Sequence, residues 1–262
     1  MQPLEQLDRK AVSGLRYILT DIDDTITREG KIHPRAYEAL WRLKEAGLSV
    51  IPVTGRPAGW CDLIIRQWPV DAVVGENGAF VYHQEGKTIR TFTHPSVASP
   101  DIREKLNRVR EVVLEAVPGS RVARDQFCRI YDLAIDFAED PPDLGLEAAV
   151  KIRDVCLSLG AEAKISSIHV NTWFGSYDKL SMTRLFLKEI RGEESIKDRV
   201  FFFGDSPNDE PMFSFFPLSC AVANIGPFLD SLTHKPGYLA PEPCGEGFTL
   251  GVERILSLRA GI

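Results

Sequence analysis

Short continuous apolar runs alternate along this chain with segments whose apolar residues recur at helical spacing. That alternation narrows the choice of fold, because a short unbroken apolar run suits a strand buried on both faces, in a parallel sheet covered by helices. The first run, Tyr17 to Thr20, stops abruptly at Asp21-Ile22-Asp23-Asp24. After His33-Pro34, residues Tyr37, Leu40, Trp41 and Leu43 recur at helical spacing, and Gly47 stands where helices commonly end. Leu48 to Val53 reads as a second strand, Pro57 as the opening of a second helix, and Asp71 to Val74 as a third strand. This is the βαβαβ order of half a doubly wound sheet.

The rhythm then changes. Ala79 to Tyr82 and Lys87 to Phe92 predict an antiparallel hairpin around Gly86, and Thr93 to Pro100 reads as a linker. Residues 101–117 and 144–159 show helical spacing, while Ile130 to Phe137 and Ala161 to Ile168 read as strands, so a small α+β unit is expected. The first pattern resumes with a helix over 179–190, a strand at Val200 to Phe203, a helix after Pro207, a strand near Ser219 to Ala223 and a last helix over 248–259. The expectation is a Rossmann-like parallel-sheet core over 1–90 and 178–262, interrupted by an α+β insert over 91–177.

Composition narrows the function classes. With 44% hydrophobic and 26% charged residues, the 262-residue chain is that of a globular protein of one large or two smaller domains. Its 31 Lys and Arg against 37 Asp and Glu give a net charge of −6, so no global positive field exists to hold a nucleic acid or an anionic membrane. The five cysteines (Cys61, Cys128, Cys156, Cys220, Cys244) are scattered and form no C-x-x-C pair, which argues against a disulfide framework or a zinc ribbon. The polar start MQPLEQLDRK lacks the apolar stretch of a secretion signal, and no run approaches the roughly 18 apolar residues of a membrane span. A cytoplasmic protein acting on a small molecule is expected; nothing indicates its oligomeric state.

In a parallel sheet, ligands bind outside the carboxyl ends of the strands. The residues there form three segments: Asp21-Ile22-Asp23-Asp24-Thr25, Val53-Thr54-Gly55-Arg56-Pro57 and Gly204-Asp205-Ser206-Pro207-Asn208-Asp209. Four carboxylates, Asp21, Asp23, Asp205 and Asp209, would then crowd one crevice, where each like-charge pair at 4 Å costs about 1 kcal/mol in water and roughly 4 at an effective dielectric of 20. A cation is needed, and hard oxygen donors select Mg²⁺, which keeps places for water and a substrate phosphate. A carboxylate beside that ion can attack phosphorus, the position of Asp21. Asp23 can protonate the leaving oxygen and then take a proton from water. Thr54, the amides opening the helix at Pro57, and a lysine can hold the transferring group.

Asp21-x-Asp23-x-Thr25, Thr54-Gly55-Arg56, Lys179 and Gly204-Asp205-Ser206-x-Asn208-Asp209, in this order, resemble the four motifs of the haloacid dehalogenase superfamily. The long insert is similar in placement to the type IIB (C2B) cap of its Cof-like and sugar-phosphate phosphatase branch. Glu76-Asn77-Gly78-Ala79 and Ala221-Val222-Ala223-Asn224 also fit. The resemblance implies Asp21 as nucleophile and metal ligand, Asp23 as acid/base with its backbone carbonyl on the metal, Thr54 and Lys179 as phosphate binders, and Asp205 as metal ligand. Asp209 would orient Lys179 or the metal's waters, and Thr25, Gly55, Arg56, Asn77 and Asn208 would line the substrate. Dehalogenases of the superfamily lack a second aspartate like Asp23, since a leaving halide needs no proton. The implied substrate is a sugar phosphate or phosphorylated sugar acid, as for mannosyl-3-phosphoglycerate and sucrose-phosphate phosphatases.

Other readings stand beside these. A phosphomannomutase-like enzyme would pass the phosphoryl group to a sugar hydroxyl, and a non-catalytic sugar-phosphate sensor would keep the fold for binding alone. Asp209 could complete a capping-box-like start with Ser206 and Pro207, and Thr54 could cap a helix. Glu76 and Asn77 could form a simple turn. Arg121, Arg124 and Arg129 read more readily as a solvated strand edge than as a second anion site. His169 and Asn171 read more readily as structural than as contacts to sugar hydroxyls, and Trp60, Trp68 and Trp173 as packing groups.

Overall fold

The computed structural model describes residues 1–97, 101–166 and 168–260. The strand Tyr17–Thr20 is buried throughout and runs parallel to Ser49–Pro52 on one side and Val200–Gly204 on the other. Ser219–Ala221, Tyr238–Leu239 and Gln2–Pro3 extend this parallel sheet to six strands. Beyond Ser49–Pro52, the strand Ala72–Gly75 joins the same edge: Asp71 N donates to Val50 O at 3.0 Å and Thr54 N to Val74 O at 2.9 Å. Phe80–Glu85 and Thr88–Thr93 follow as the expected hairpin, with Gly86 at φ +59° in the turn.

Alternation along the central strands divides the core in two. Ile18, Val50, Phe201 and Phe203 pack with Leu40, Ile64 and Phe248, from the helices Pro34–Glu45, Ala58–Gln67 and Cys244–Arg259. Leu19, Ile51 and Phe202 pack with Phe186 and Phe213, from Lys179–Glu189 and Glu210–Phe215. Each such fully buried side chain contributes about 1.5–3 kcal/mol of hydrophobic burial. The strands are therefore covered on both faces, and only the loops at their ends are free to carry chemistry.

The second unit is a four-stranded antiparallel sheet in the order Glu162–Ile165, His169–Trp173, Asp132–Asp136, Arg121–Val122. The helices Ile102–Ala116 and Gly145–Ser158 close its own core around Val113, Ile135, Ile152 and Val170. Every strand of the six-stranded sheet lies outside residues 91–177, and every strand of this one lies within them.

Several boundaries differ from expectation. The strand expected over Ala161 to Ile168 ends at Ile165, and a separate strand, His169–Trp173, occupies an inner position in the sheet. It shows no apolar run because His169 and Asn171 turn toward a cleft while Val170 joins the core. Pro57 stands just ahead of its helix, and the last helix begins at Cys244, where Gly245 and Gly247 interrupt the apolar spacing. Ala98, Ser99 and Pro100 of the expected linker, and Ser167, lie outside the described residues. Among the described residues no helix is long and apolar enough to cross a membrane.

Candidate active site

Asp21 follows the central strand directly, and its backbone N donates to Phe203 O at 2.9 Å, so two adjacent strands fix where the side chain starts. Asp205 follows the neighbouring strand Val200–Gly204. Carboxylate oxygens of Asp21, Asp205 and Asp209 all lie within 4.8 Å of one another, and all three residues are buried. Thr25 Oγ1 donates to Asp205 Oδ1 at 2.9 Å, and Asn224 Nδ2 to Asp205 Oδ2 at 3.2 Å. Asp209 accepts from Asp205 N at 3.1 Å through Oδ2 and from Lys179 through Oδ1, rather than completing a capping box with Ser206.

Lys179 reaches this group from the far side. Asp178 and Ser181 form a reciprocal capping box that starts the Lys179–Glu189 helix, which puts the lysine in its first turn. Its Nζ donates to Asp21 Oδ1 and to Asp209 Oδ1, each at 2.9 Å, and to Asn208 Oδ1 at 3.4 Å. Burial opposes the ammonium charge, but Asp209 and Asp21 outweigh it and hold Lys179 above its ordinary range. Burial pushes Asp21 up to about 7, with Asp209 and Asp23 adding to the rise and Lys179 opposing it. Burial together with Asp21 and Asp209 also raises Asp205 well above the carboxylate range.

Lys179 pairs with Asp21 and Asp209, and one ammonium in a group of three carboxylates leaves two formal negative charges unbalanced when all are ionised. The donor set is carboxylate oxygen alone. Both facts fit a hard divalent cation such as Mg²⁺.

Asp23 stands beside this group, outside the three-carboxylate cluster. Its carboxylate is held side-on by Arg56, through Nε at 2.9 Å and Nη2 at 2.7 Å. Arg56 in turn lies over the Trp60 ring at 4.5 Å and 3.8 to 3.9 Å from Asp125 and Glu139 of the insert. Thr54 is fully buried, with its hydroxyl accepting from Arg56 N at 3.0 Å. The amide opening the next helix is not available to a phosphate, since Ala58 N donates to Glu76 Oε1 at 3.0 Å.

Asp21, Asp23, Gly55, Arg56, Asn77 and Asn208 line a narrow cleft whose opposite wall includes Arg129, Lys164, His169 and Asn171. Asn171 Nδ2 and Arg129 Nη1 both donate to Gly55 O, at 3.1 and 3.0 Å. A Cβ on Gly55 would stand 2.9 Å from Asn171 Nδ2 and 3.0 Å from Asn77 Oδ1, so glycine is required for this approach. Asn77 Nδ2 and Asn171 Oδ1 are buried with no protein partner.

Residues 18–114 match the haloacid dehalogenase-like hydrolase family. That stretch is haloacid dehalogenase-like in sequence. No curated protein matches the chain. Among solved structures it is similar to a Thermoplasma acidophilum protein (21% identity, 93% of this chain and 99% of that one covered, TM-score 0.73). It is also similar to a sugar phosphatase of haloacid dehalogenase subclass IIB (15%, 93% and 99%, 0.65) and to the sucrose-phosphatase of Synechocystis sp., solved with sucrose and phosphate (14%, 92% and 97%, 0.63).

Around the carboxylate group, several expectations change. The Arg129 side chain is buried, paired with Asp132 at 2.9 Å and Asp125 at 3.2 Å, and is no solvated strand edge. Arg121 bonds the Asp140 and Pro141 carbonyls, and Arg124 pairs with Asp140. Thr25 and Arg56, read as substrate contacts, are committed to Asp205 and Asp23. Trp60 is partly exposed and carries Arg56, whereas Trp173 is buried against Tyr177. Asn224 and Glu76 stand in the sequence just past buried strands, in segments that fit the resemblance, but their partners lie far away in the chain.

Proposed function

We propose that the protein is a Mg²⁺-dependent phosphomonoesterase acting on a small phosphorylated, hydroxyl-bearing metabolite, with residues 1–90 and 178–262 as catalytic core and 91–177 as a cap. The observation that carries this reading is the convergence of Asp21, Asp205 and Asp209 in one buried group, with Lys179 bonded to Asp21 and Asp209 and another aspartate, Asp23, at the rim. The cysteines are free, four of them buried, in keeping with a reducing cytoplasm.

Asp21, Asp205, Asp209 and the Asp23 backbone carbonyl are the groups that would hold the ion. Bound there, Mg²⁺ would offset their charge and polarise a phosphoryl oxygen. Asp21 attacks phosphorus through its carboxylate, forming an aspartyl-phosphate as the ester oxygen departs. Lys179, already between Asp21 and Asp209, neutralises charge on the phosphoryl oxygens, and Thr54 lines its seat. Asp23 gives the departing oxygen a proton, then removes one from the water that hydrolyses the intermediate. The cleft walls exclude bulk water while this proceeds. The unpartnered donor of Asn77 and acceptor of Asn171 suit a hydroxyl on the leaving group, which can accept from one and donate to the other.

The test is phosphate release from p-nitrophenyl phosphate and a panel of phosphorylated sugars, with and without Mg²⁺ and without any bisphosphate activator. The reading expects release that EDTA stops reversibly and Asp21→Asn abolishes. Release by Asp21→Asn equal to that of the wild type would refute it.

A further inference from the structure

The turn Glu76–Gly78 is strained and central. Glu76 and Asn77 have φ of +44° and +56°, which L-residues adopt at a cost of order 1–3 kcal/mol each and keep only where surroundings enforce it, and Gly78 follows at +109°, a value open to glycine. The surroundings do so. Glu76 N donates to Arg56 O and Asn77 N to Thr54 O, each at 3.1 Å, and a Cβ on Gly78 would run into the backbone carbonyl of Asp178, next to Lys179. One turn is therefore wedged between the Thr54-Gly55-Arg56 loop and the helix that presents Lys179.

The Glu76 side chain does something different from its backbone. It is fully buried, and its carboxylate accepts four backbone N–H bonds. One comes from the core, Ala58 N to Oε1 at 3.0 Å. The other three come from consecutive residues of the insert: Ile130 N to Oε1 at 2.9 Å, Tyr131 N to Oε2 at 2.6 Å and Asp132 N to Oε2 at 3.1 Å. Asp132 begins the strand that pairs with His169–Trp173, and Arg129 precedes the three donors and reaches Gly55 O. Alongside, Cys128 sits so close to Gly59 that a Cβ there would meet it at 2.6 Å. Burial, joined by Asp132, pushes the Glu76 carboxyl up to about 7, while the Ile130 and Tyr131 amides and Arg129 oppose the rise.

We propose that Glu76 is a positioning residue: it anchors residues 130–132 of the insert to the core and so sets where the cleft wall of Arg129, His169 and Asn171 stands relative to Asp21. Glu76 is fully buried and is not among the residues that line the cleft. An ionised carboxylate has two oxygens able to accept two bonds each, which is the geometry used; an amide replaces one acceptor by a donor that would face two N–H groups. Leaving that pair unsatisfied undoes the anchor without changing the side chain's size.

The test is amide hydrogen exchange on the full chain, wild type against Glu76→Gln. The anchor predicts that the amides of Ile130, Tyr131 and Asp132 exchange at least about tenfold faster in the variant, while those of Ile18 and Leu19 in the central strand are unchanged. Unchanged exchange at 130–132, or an equal acceleration everywhere, overturns the proposal. If Glu76→Gln does not fold, Glu76→Asp, which keeps the charge but withdraws it by one methylene, is read by the same criterion. A kinetic arm rests on the phosphatase reading: with p-nitrophenyl phosphate, KM should rise about tenfold and kcat stay within about threefold. A fall in kcat at constant KM counts against the anchor. A wild type without phosphatase activity refutes the function instead, and the exchange result still decides the role of Glu76.

Discussion

Arg56 and Asp23 form a two-pronged pair, Nε to Oδ2 at 2.9 Å and Nη2 to Oδ1 at 2.7 Å, although 33 positions separate them in the chain. The pair joins the loops after two adjacent strands, and the same guanidinium lies near insert carboxylates of Asp125 and Glu139. The direction of the proposed acid/base group is therefore set by a residue that also senses the insert. Lysine cannot reproduce the planar fork.

Arg56→Ala should lower kcat by about tenfold to a hundredfold, a part of the 10²–10⁴ that a well-placed acid/base supplies, with Arg56→Lys intermediate. Wild-type kinetics in both variants would show that the pair does not orient Asp23.

Saturating Mg²⁺ should raise the Tm of the wild type, since a ligand at a hundred times its Kd adds about 2.7 kcal/mol. Asp205→Asn, which removes one of three converging carboxylates, should lose most of that increment. Thermal unfolding with and without the ion reads this directly, and an equal shift in both proteins would place the ion elsewhere.

Gly204 ends the Val200–Gly204 strand, and a Cβ there would stand 2.5 Å from Asp209 Oδ2 and 2.8 Å from Asp209 Cγ. Gly204→Ala should push Asp209 off Lys179 and cut kcat by about a hundredfold, for an overpacking cost of about 1–3 kcal/mol. Parallel kinetics and urea unfolding separate the two effects.

His169 is buried with Nε2 2.9 Å from Glu139, and burial, then the charge of Arg129, lowers its pKa despite Glu139. The sign follows. The fold disfavours the charged ring, whereas the unfolded chain takes a proton below about 6.5, so this stability is present above that value and is lost as pH falls through the lower folded value. Urea unfolding between pH 7.5 and 5 should show a loss on acidification that His169→Gln flattens.

Much of this was already written in the chain. The apolar runs Tyr17–Thr20 and Val200–Gly204 are buried on both faces, and a strand so placed has only its ends left for chemistry, so Asp21 and Asp205 could be singled out by position alone. The local signals at Gly86 and Pro34 act the same way, because turn and helix-start geometry depends on neighbouring residues only. The strand His169–Trp173 escaped, because its polar face is buried against a cleft rather than exposed to water.

The partnerships belong to the tertiary structure. Glu76 and Tyr131, Arg129 and Gly55, Asn224 and Asp205 meet across 19 to 74 positions, and whether a carboxylate is a metal ligand, a clamp or an anchor depends on which amides and cations reach it. Sequence spacing sets backbone periodicity, which is local. The partner that satisfies a buried charge is chosen by packing of distant elements, and only their assembly decides it.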